Sequence, residues 1–214
     1  MIKFKKILEN IINERKNIGI VYHFTSFTSA SSILAQDFLQ ARYWKPQFSK
    51  DKLIFTISTT RDKHFSKHRR KNNLEPIIGG DQIAFELDGN MMSDKYEVRP
   101  YDDTTVAGIK NPSLRQLWGD EMEEVWYGKN IENNEGIKGI KKYIRKIIIT
   151  KSGYEDIISY SDMGFSADIV GNELTFRRVG RPGPDNDSKE RLDIVIKYFE
   201  SFNIPLRIEK CGIS

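Results

Sequence analysis

Apolar side chains recur at helical spacing through Ile2, Phe4, Ile7, Leu8, Ile11 and Ile12, which predicts an amphipathic helix over 2–16 that Gly19 ends. Ile20–Phe24 reads as a short buried strand, and the Ser29-Ala-Ser-Ser-Ile-Leu run as the start of a second helix with several possible caps. Leu53–Ser58 is rich in β-branched and aromatic residues and predicts a strand. Ile83–Asp88 alternates apolar with polar positions until Gly89-Asn90 breaks it, and Tyr96–Pro100 follows as another strand. Residues 102–119 carry Gly108, Pro112 and Gly119 and read as loops with one helical turn. Glu123–Tyr127 reads as a strand entered from a cluster of carboxylates, Ile137–Tyr143 as a short helix, and Ile144–Thr150 as a buried strand. Ala167–Arg178 has the pattern of a hairpin turning on Gly171-Asn172. A loop over 180–187, a helix over Ser188–Phe202 and a last strand, Leu206–Ile208, complete the pattern.

Strands and helices do not alternate strictly, so the pattern favours an α+β fold over a doubly wound sheet. A chain of 214 residues fits one domain, with a core over about 20–150 and residues 151–214 completing it or acting as an accessory. Only 38% of residues are hydrophobic, but 12 Phe, 9 Tyr and 3 Trp supply bulky core side chains. The single cysteine, Cys211, excludes an intramolecular disulfide and a cysteine-based zinc site, and three His lack useful ligand spacing, so no metal is expected. No unbroken apolar stretch of signal-peptide or membrane-span length occurs, which predicts a cytoplasmic protein without a membrane partner.

The net charge of +4 permits a nucleic-acid partner without requiring one. Its distribution says more: Lys63, Lys67, Arg69, Arg70 and Lys71 fall within nine residues, together with His64 and His68. Such a run forms either a solvated basic face or a surface that meets phosphates. Trp44, Trp118 and Trp126, and Arg177, Arg178 and Arg181, have similar double readings as packing or surface residues and as ligand contacts.

The chain has no Gly-rich phosphate loop, no Gly-x-Gly-x-x-Gly, no His-Glu-x-x-His and no Gly-flanked nucleophile elbow. Three pieces remain that carry chemistry. They are Tyr22-His23-Phe24-Thr25 at a strand end, Ser58-Thr59-Thr60-Arg61 at another, and Glu121-Met122-Glu123-Glu124-Val125 opening a third.

In this order the pieces resemble the ADP-ribosyltransferase superfamily, whose three strands bring an Arg or His, a Ser-Thr-Ser-like element and a catalytic Glu. Tyr22-His23-x-Thr25 is similar to the His-containing branch, Ser58-Thr59-Thr60 to the Ser-Thr-Ser element, and Glu121-x-Glu123, or the overlapping Met122-Glu123-Glu124-Val125, to the Glu-x-Glu element. The same pieces also resemble small phage-encoded members and the DNA-modifying toxin branch. The likeness covers roughly residues 20–150, mixes features of two branches, and lacks a Gly-rich loop for the nicotinamide pocket.

The resemblance implies a split mixed β-sheet core flanked by helices. It also implies NAD as co-substrate, and a nucleic-acid or protein acceptor in a bacterial or phage-infected cell. Glu123 or Glu124, with Glu121 as partner, would stabilise the oxocarbenium-like ribose, and Glu123 is preferred because Glu121 then lies on the same side of the strand. Tyr22, His23, Thr25, Ser58, Thr59 and Arg61 would hold NAD, with Ser58 bracing the Glu and Arg61 pairing with the pyrophosphate. Two rival expectations stand beside this one. One is a non-catalytic phage structural or host-interaction protein with a transferase-like fold. The other is a nucleic-acid-binding or RNA-processing domain that uses the 63–71 segment.

Overall fold

The computed structural model describes residues 18–44, 54–61, 63, 81–100, 123–127, 136–162, 164–179 and 186–209. The predicted first helix, Lys67, Arg69, Arg70, Lys71 and Glu121 lie outside them, as do Arg181 and Cys211. In chain order the elements are β1 (Ile20–Thr25), α1 (Phe27–Gln36), β2 (Phe38–Gln40), β3 (Arg42–Trp44), β4 (Ile54–Thr60) and β5 (Ile83–Asp88). Next come α2 (Gly89–Ser93), β6 (Glu97–Pro100), β7 (Glu123–Tyr127), β8 (Gly136–Lys138), a 3-10 turn (Ile140–Tyr143) and β9 (Ile144–Ile149). The last are α3 (Lys151–Asp162), β10 (Phe165–Val170), β11 (Glu173–Arg178), α4 (Asn186–Glu200) and β12 (Leu206–Ile208). Both parallel and antiparallel strand pairs occur beside the helices, so the fold class is α+β at this level. Among the described residues no helix is long and apolar enough to cross a membrane.

The chain divides into two compact units, one of residues 1–22, 40–65 and 87–137, the other of 23–39, 66–86 and 138–214. In the first unit the strands run in the order β1-β4-β7-β6, with β3 also on β4. β4 is antiparallel to both β3 and β7, and β7 to β6. The sequence Ile-Phe-Thr-Ile-Ser-Thr-Thr explains β4: β-branched and aromatic side chains suit a pleated, half-buried surface. Ile57, Leu87, Met92 and Tyr96 are buried in this unit. Gly89 is required where α2 begins, because a Cβ there would stand 2.6 Å from the Gly19 carbonyl oxygen. The Gly89 N–H donates to that same oxygen at 2.9 Å.

The second unit holds α1, α3, α4 and the β10–β11 hairpin, with β5, β9 and β12 as successive strands. β12 runs parallel to β9, Leu206 opposite Ile147 and Ile208 opposite Ile149. Ile147, Ile148 and Ile149 are all buried, the continuous apolar run expected of a strand covered on both faces. The hairpin turns on Gly171-Asn172 as its sequence predicts, with Val170 opposite Glu173 and Gly171 at φ +62°. Much of the aromatic content packs here: Phe176 lies 5.5 Å from Phe27 and 5.7 Å from Tyr160 by ring centroid, and Tyr198 lies 5.4 Å from Phe199.

Polar side chains fix the helix ends. Ser26, the residue directly before Phe27, caps α1 by accepting from the Ser29 N–H at 3.1 Å. The helix thus begins at Phe27 rather than at Ser29, which is the donor to the cap. At its other end Asp37 adopts φ +50°, and its carbonyl accepts from Gly139 N–H while its Oδ1 accepts from Lys141 N–H at 2.8 Å. That bracket, with Gly139 at φ +68°, corrects the expected helix over 137–143: residues 137–138 end β8 and only a 3-10 turn follows.

Gln82 joins α1 to α3, its Oε1 accepting from the Phe27 N–H at 2.9 Å and its Nε2 donating to Asp156 Oδ2 at 2.8 Å. Thr150 caps α3 through Oγ1, which accepts from the Gly153 N–H at 3.1 Å and donates to the Asp81 carbonyl.

Tyr198 ties α4 to α1 and to the hairpin. Its Oη lies 3.0 Å from Ser31 Oγ and 3.0 Å from the Asn172 carbonyl, and Ser31 Oγ accepts from Leu174 N–H at 2.6 Å. Burial raises the Tyr198 pKa above the ordinary 10.0 and the Glu173 charge adds to it, against hydrogen bonds from Ser31 and the Leu174 backbone. The folded state therefore holds this proton more tightly than the unfolded chain. Its contribution to stability is complete below about pH 10 and is lost as pH rises through the raised value. Tyr198→Phe is expected to cost about 1–2 kcal/mol in urea unfolding at pH 8 and to flatten the loss of stability above pH 10. An unchanged midpoint at pH 8 would contradict this.

Candidate functional site

The second and third chemical motifs lie on neighbouring strands of the first unit. β4 and β7 pair antiparallel with Ser58 opposite Val125, Thr59 opposite Glu124 and Thr60 opposite Glu123. Tyr22 on β1 is opposite Thr60 on its other side. One line of register thus runs across three strands through Tyr22, Thr60 and Glu123. Directly opposed positions share a face, and the period of two divides the rest. Positions 58, 60, 123 and 125 belong to one face, and 57, 59, 124 and 126 to the other.

The two faces differ in accessibility. Ser58 is exposed, whereas Ile57 and Thr59 are 3% and 2% exposed, so the face of Thr59 is the packed one at β4. Thr60 is itself 2% exposed although it shares the Ser58 face. Arg61 follows at the end of β4 and is exposed, and Lys63 two residues on is exposed as well. The remaining basic positions of the 63–71 segment lie outside the described residues.

On β1, alternation sends the side chain of Tyr22 to one face and those of His23 and Thr25 to the other. Tyr22 and His23 are half-buried and Thr25 is buried at 8%.

The residue that sequence reasoning passed over is Thr60. It was visible as the third hydroxyl of Ser58-Thr59-Thr60, and alternation alone would have put it on the same face as Ser58. What no periodicity supplies is the register that sets it between Tyr22 and Glu123.

The chemical capacity of this face is that of a carboxylate position flanked by hydroxyls, with a guanidinium at the strand end. Carboxylates accept hydrogen bonds and stabilise positive charge, hydroxyls donate to the carboxylate and accept from a sugar, and Arg pairs with phosphate oxygens. Among the described residues no group of three or more His, Cys, Asp or Glu is placed to hold a metal ion. In comparisons with known proteins, no family model, no curated protein and no solved structure matches the chain.

Proposed function

We propose that the chain is an NAD-dependent mono-ADP-ribosyltransferase that modifies nucleic acid or a protein. One observation carries the reading: β4 pairs with β7 so that Ser58-Thr59-Thr60 runs beside Glu123-Glu124-Val125. The two short motifs, separated by some sixty residues of sequence, thus come together on neighbouring strands. The split mixed sheet of the superfamily is part of the same proposal.

The residues suit NAD as substrate by donor type. The bond to break joins nicotinamide to C1′ of the ribose. Its electron pair leaves with the ring nitrogen, neutralising the pyridinium, while C1′ gains positive charge. Glu123 stabilises that charge and accepts from the ribose 2′-hydroxyl, Ser58 donates to the Glu123 carboxylate, and Arg61 pairs with the pyrophosphate. An acceptor oxygen, nitrogen or sulfur then bonds to C1′ and gives up its proton to a base or to water. Tyr22, on the register line of Glu123, packs beside the sugar or the nicotinamide ring.

The test is transfer of label from NAD carrying an isotope in its adenosine half to DNA, to RNA and to a cell lysate. The expected result is incorporation into one class that Arg61→Ala weakens at low NAD and that saturating NAD restores. Absence of incorporation into all three, together with no NAD binding by calorimetry, would move the assignment to a non-catalytic interaction protein.

A further inference from the structure

Ser58 and Thr60 share a face of β4, yet Ser58 is exposed and Thr60 is buried. Their neighbours account for the difference. At Thr60 the strand is flanked on both sides, by Tyr22 of β1 and by Glu123 of β7. Among the described residues the register partner of Ser58 is Val125 of β7 alone. All of these positions belong to the first unit. Thr60 therefore presents a hydroxyl shut off from solvent in the middle of a paired row, on a β-branched side chain whose χ1 has little freedom.

We propose that Thr60, and not only Ser58, holds the Glu123 carboxylate in place as a positioning residue, an inference that rests on the transferase function proposed above. Two observations single it out. The first is register. Cβ atoms directly opposite across an antiparallel pair stand about 4.5–5.5 Å apart, and diagonal neighbours about 7–8 Å. Thr60 is directly opposite Glu123, whereas Ser58, opposite Val125, is diagonal to it. The second is burial. Where an exposed hydroxyl such as that of Ser58 is removed, water takes its place beside a carboxylate with nearly the same enthalpy. A donor lost at buried Thr60 has no such substitute, so the carboxylate loses the bond outright. The likeness to a Ser-Thr-Ser element puts the weight on the first hydroxyl; register and burial put it on the third.

The experiment has two arms, both on the full chain. In the first, nicotinamide release by Thr60→Val, Thr60→Ser and Ser58→Ala is compared with wild type. Thr60→Val keeps the branched shape and removes the hydroxyl, and Thr60→Ser keeps the hydroxyl and removes the methyl group. Thr60→Val is expected to lower kcat roughly 10-fold or more with KM for NAD within about twofold, because it misplaces a group that acts in the transition state. Thr60→Ser is expected to keep most of kcat, and Ser58→Ala to lose less than Thr60→Val. The second arm is a double-mutant cycle of Thr60→Val and Glu123→Ala in urea unfolding. Thr60→Val is expected to shift the midpoint of wild type further than that of the Glu123→Ala chain. The cycle needs no NAD, so the two failures are distinguishable: absence of release by wild type sinks the transferase reading, and the cycle still decides whether Thr60 holds the carboxylate. Equal midpoint shifts in the two backgrounds, wild-type kcat in Thr60→Val, or a larger loss in Ser58→Ala than in Thr60→Val overturns the proposal.

Discussion

Glu123→Gln is expected to lower NAD consumption on the order of 100-fold or more, whereas Glu124→Gln stays within several-fold of wild type. The two substitutions are chemically identical and adjacent in sequence, so the difference between them reads the face of the sheet. Glu123 holds the register position opposite Thr60, on the face where Ser58 is exposed. Glu124 is opposite Thr59, on the face where Ile57 and Thr59 are buried. A group that stabilises charge only in the transition state lowers kcat and kcat/KM together when removed, while one that helps only to hold NAD raises KM. Glu123→Gln is expected to show the first pattern and Arg61→Ala the second. The opposite order of the two Glu variants would place the chemistry on the face of Thr59.

The second large effect falls on stability. Gly153→Ala is expected to destabilise the second unit by about 2 kcal/mol or more, although glycine inside a helix is ordinarily the poorer residue by about 1 kcal/mol. A Cβ at Gly153 would stand 2.2 Å from the Gln82 carbonyl oxygen and 2.9 Å from its carbon, both backbone atoms that cannot rotate away. To accept the methyl group, the first turn of α3 must leave the 81–82 segment. That strains the Thr150 cap, the Thr150 N–H to Gln82 carbonyl bond of 3.1 Å, and the Ser152 to Asp81 contact of 3.2 Å. Steric exclusion therefore outweighs helix propensity. For a chain of this size the expected fall in Tm is roughly 4–8 °C, and a Tm equal to or above wild type would show that α3 shifts without cost. Ser152→Ala, which removes the hydroxyl contact to Asp81 and adds no bulk, serves as the milder comparison.

Elements with a strong period were legible in the sequence. The strand over Leu53–Ser58 appears as Ile54–Thr60, Glu123–Tyr127 appears as predicted, and the predicted Ser188–Phe202 helix appears as Asn186–Glu200. The Gly171-Asn172 turn was legible because a two-residue hairpin needs positive φ, which glycine adopts without strain. Other features were hidden for identifiable reasons. α3 was not predicted: its first turn carries Gly153, a poor helix residue, and the reason for that glycine is a tertiary contact with Gln82. The 3-10 turn at 140–143 has a helical spacing of apolar residues, but Asp37, more than a hundred residues earlier, holds its start. β2, β3 and β8 have three residues each, too few for a period to show. For the candidate site, the motifs themselves were legible, as was the alternation along each strand. The register that brings Tyr22, Thr60 and Glu123 into line was not, since it depends on which strands are neighbours.

The most direct measurement is nicotinamide release from NAD by the purified full chain, wild type beside Glu123→Gln, with DNA, RNA and lysate each added in turn. The expected result is release by wild type in at least one condition and a loss of about 100-fold or more in the variant, with NAD binding retained. Equal release by both proteins, or no release by wild type in any condition, would contradict it.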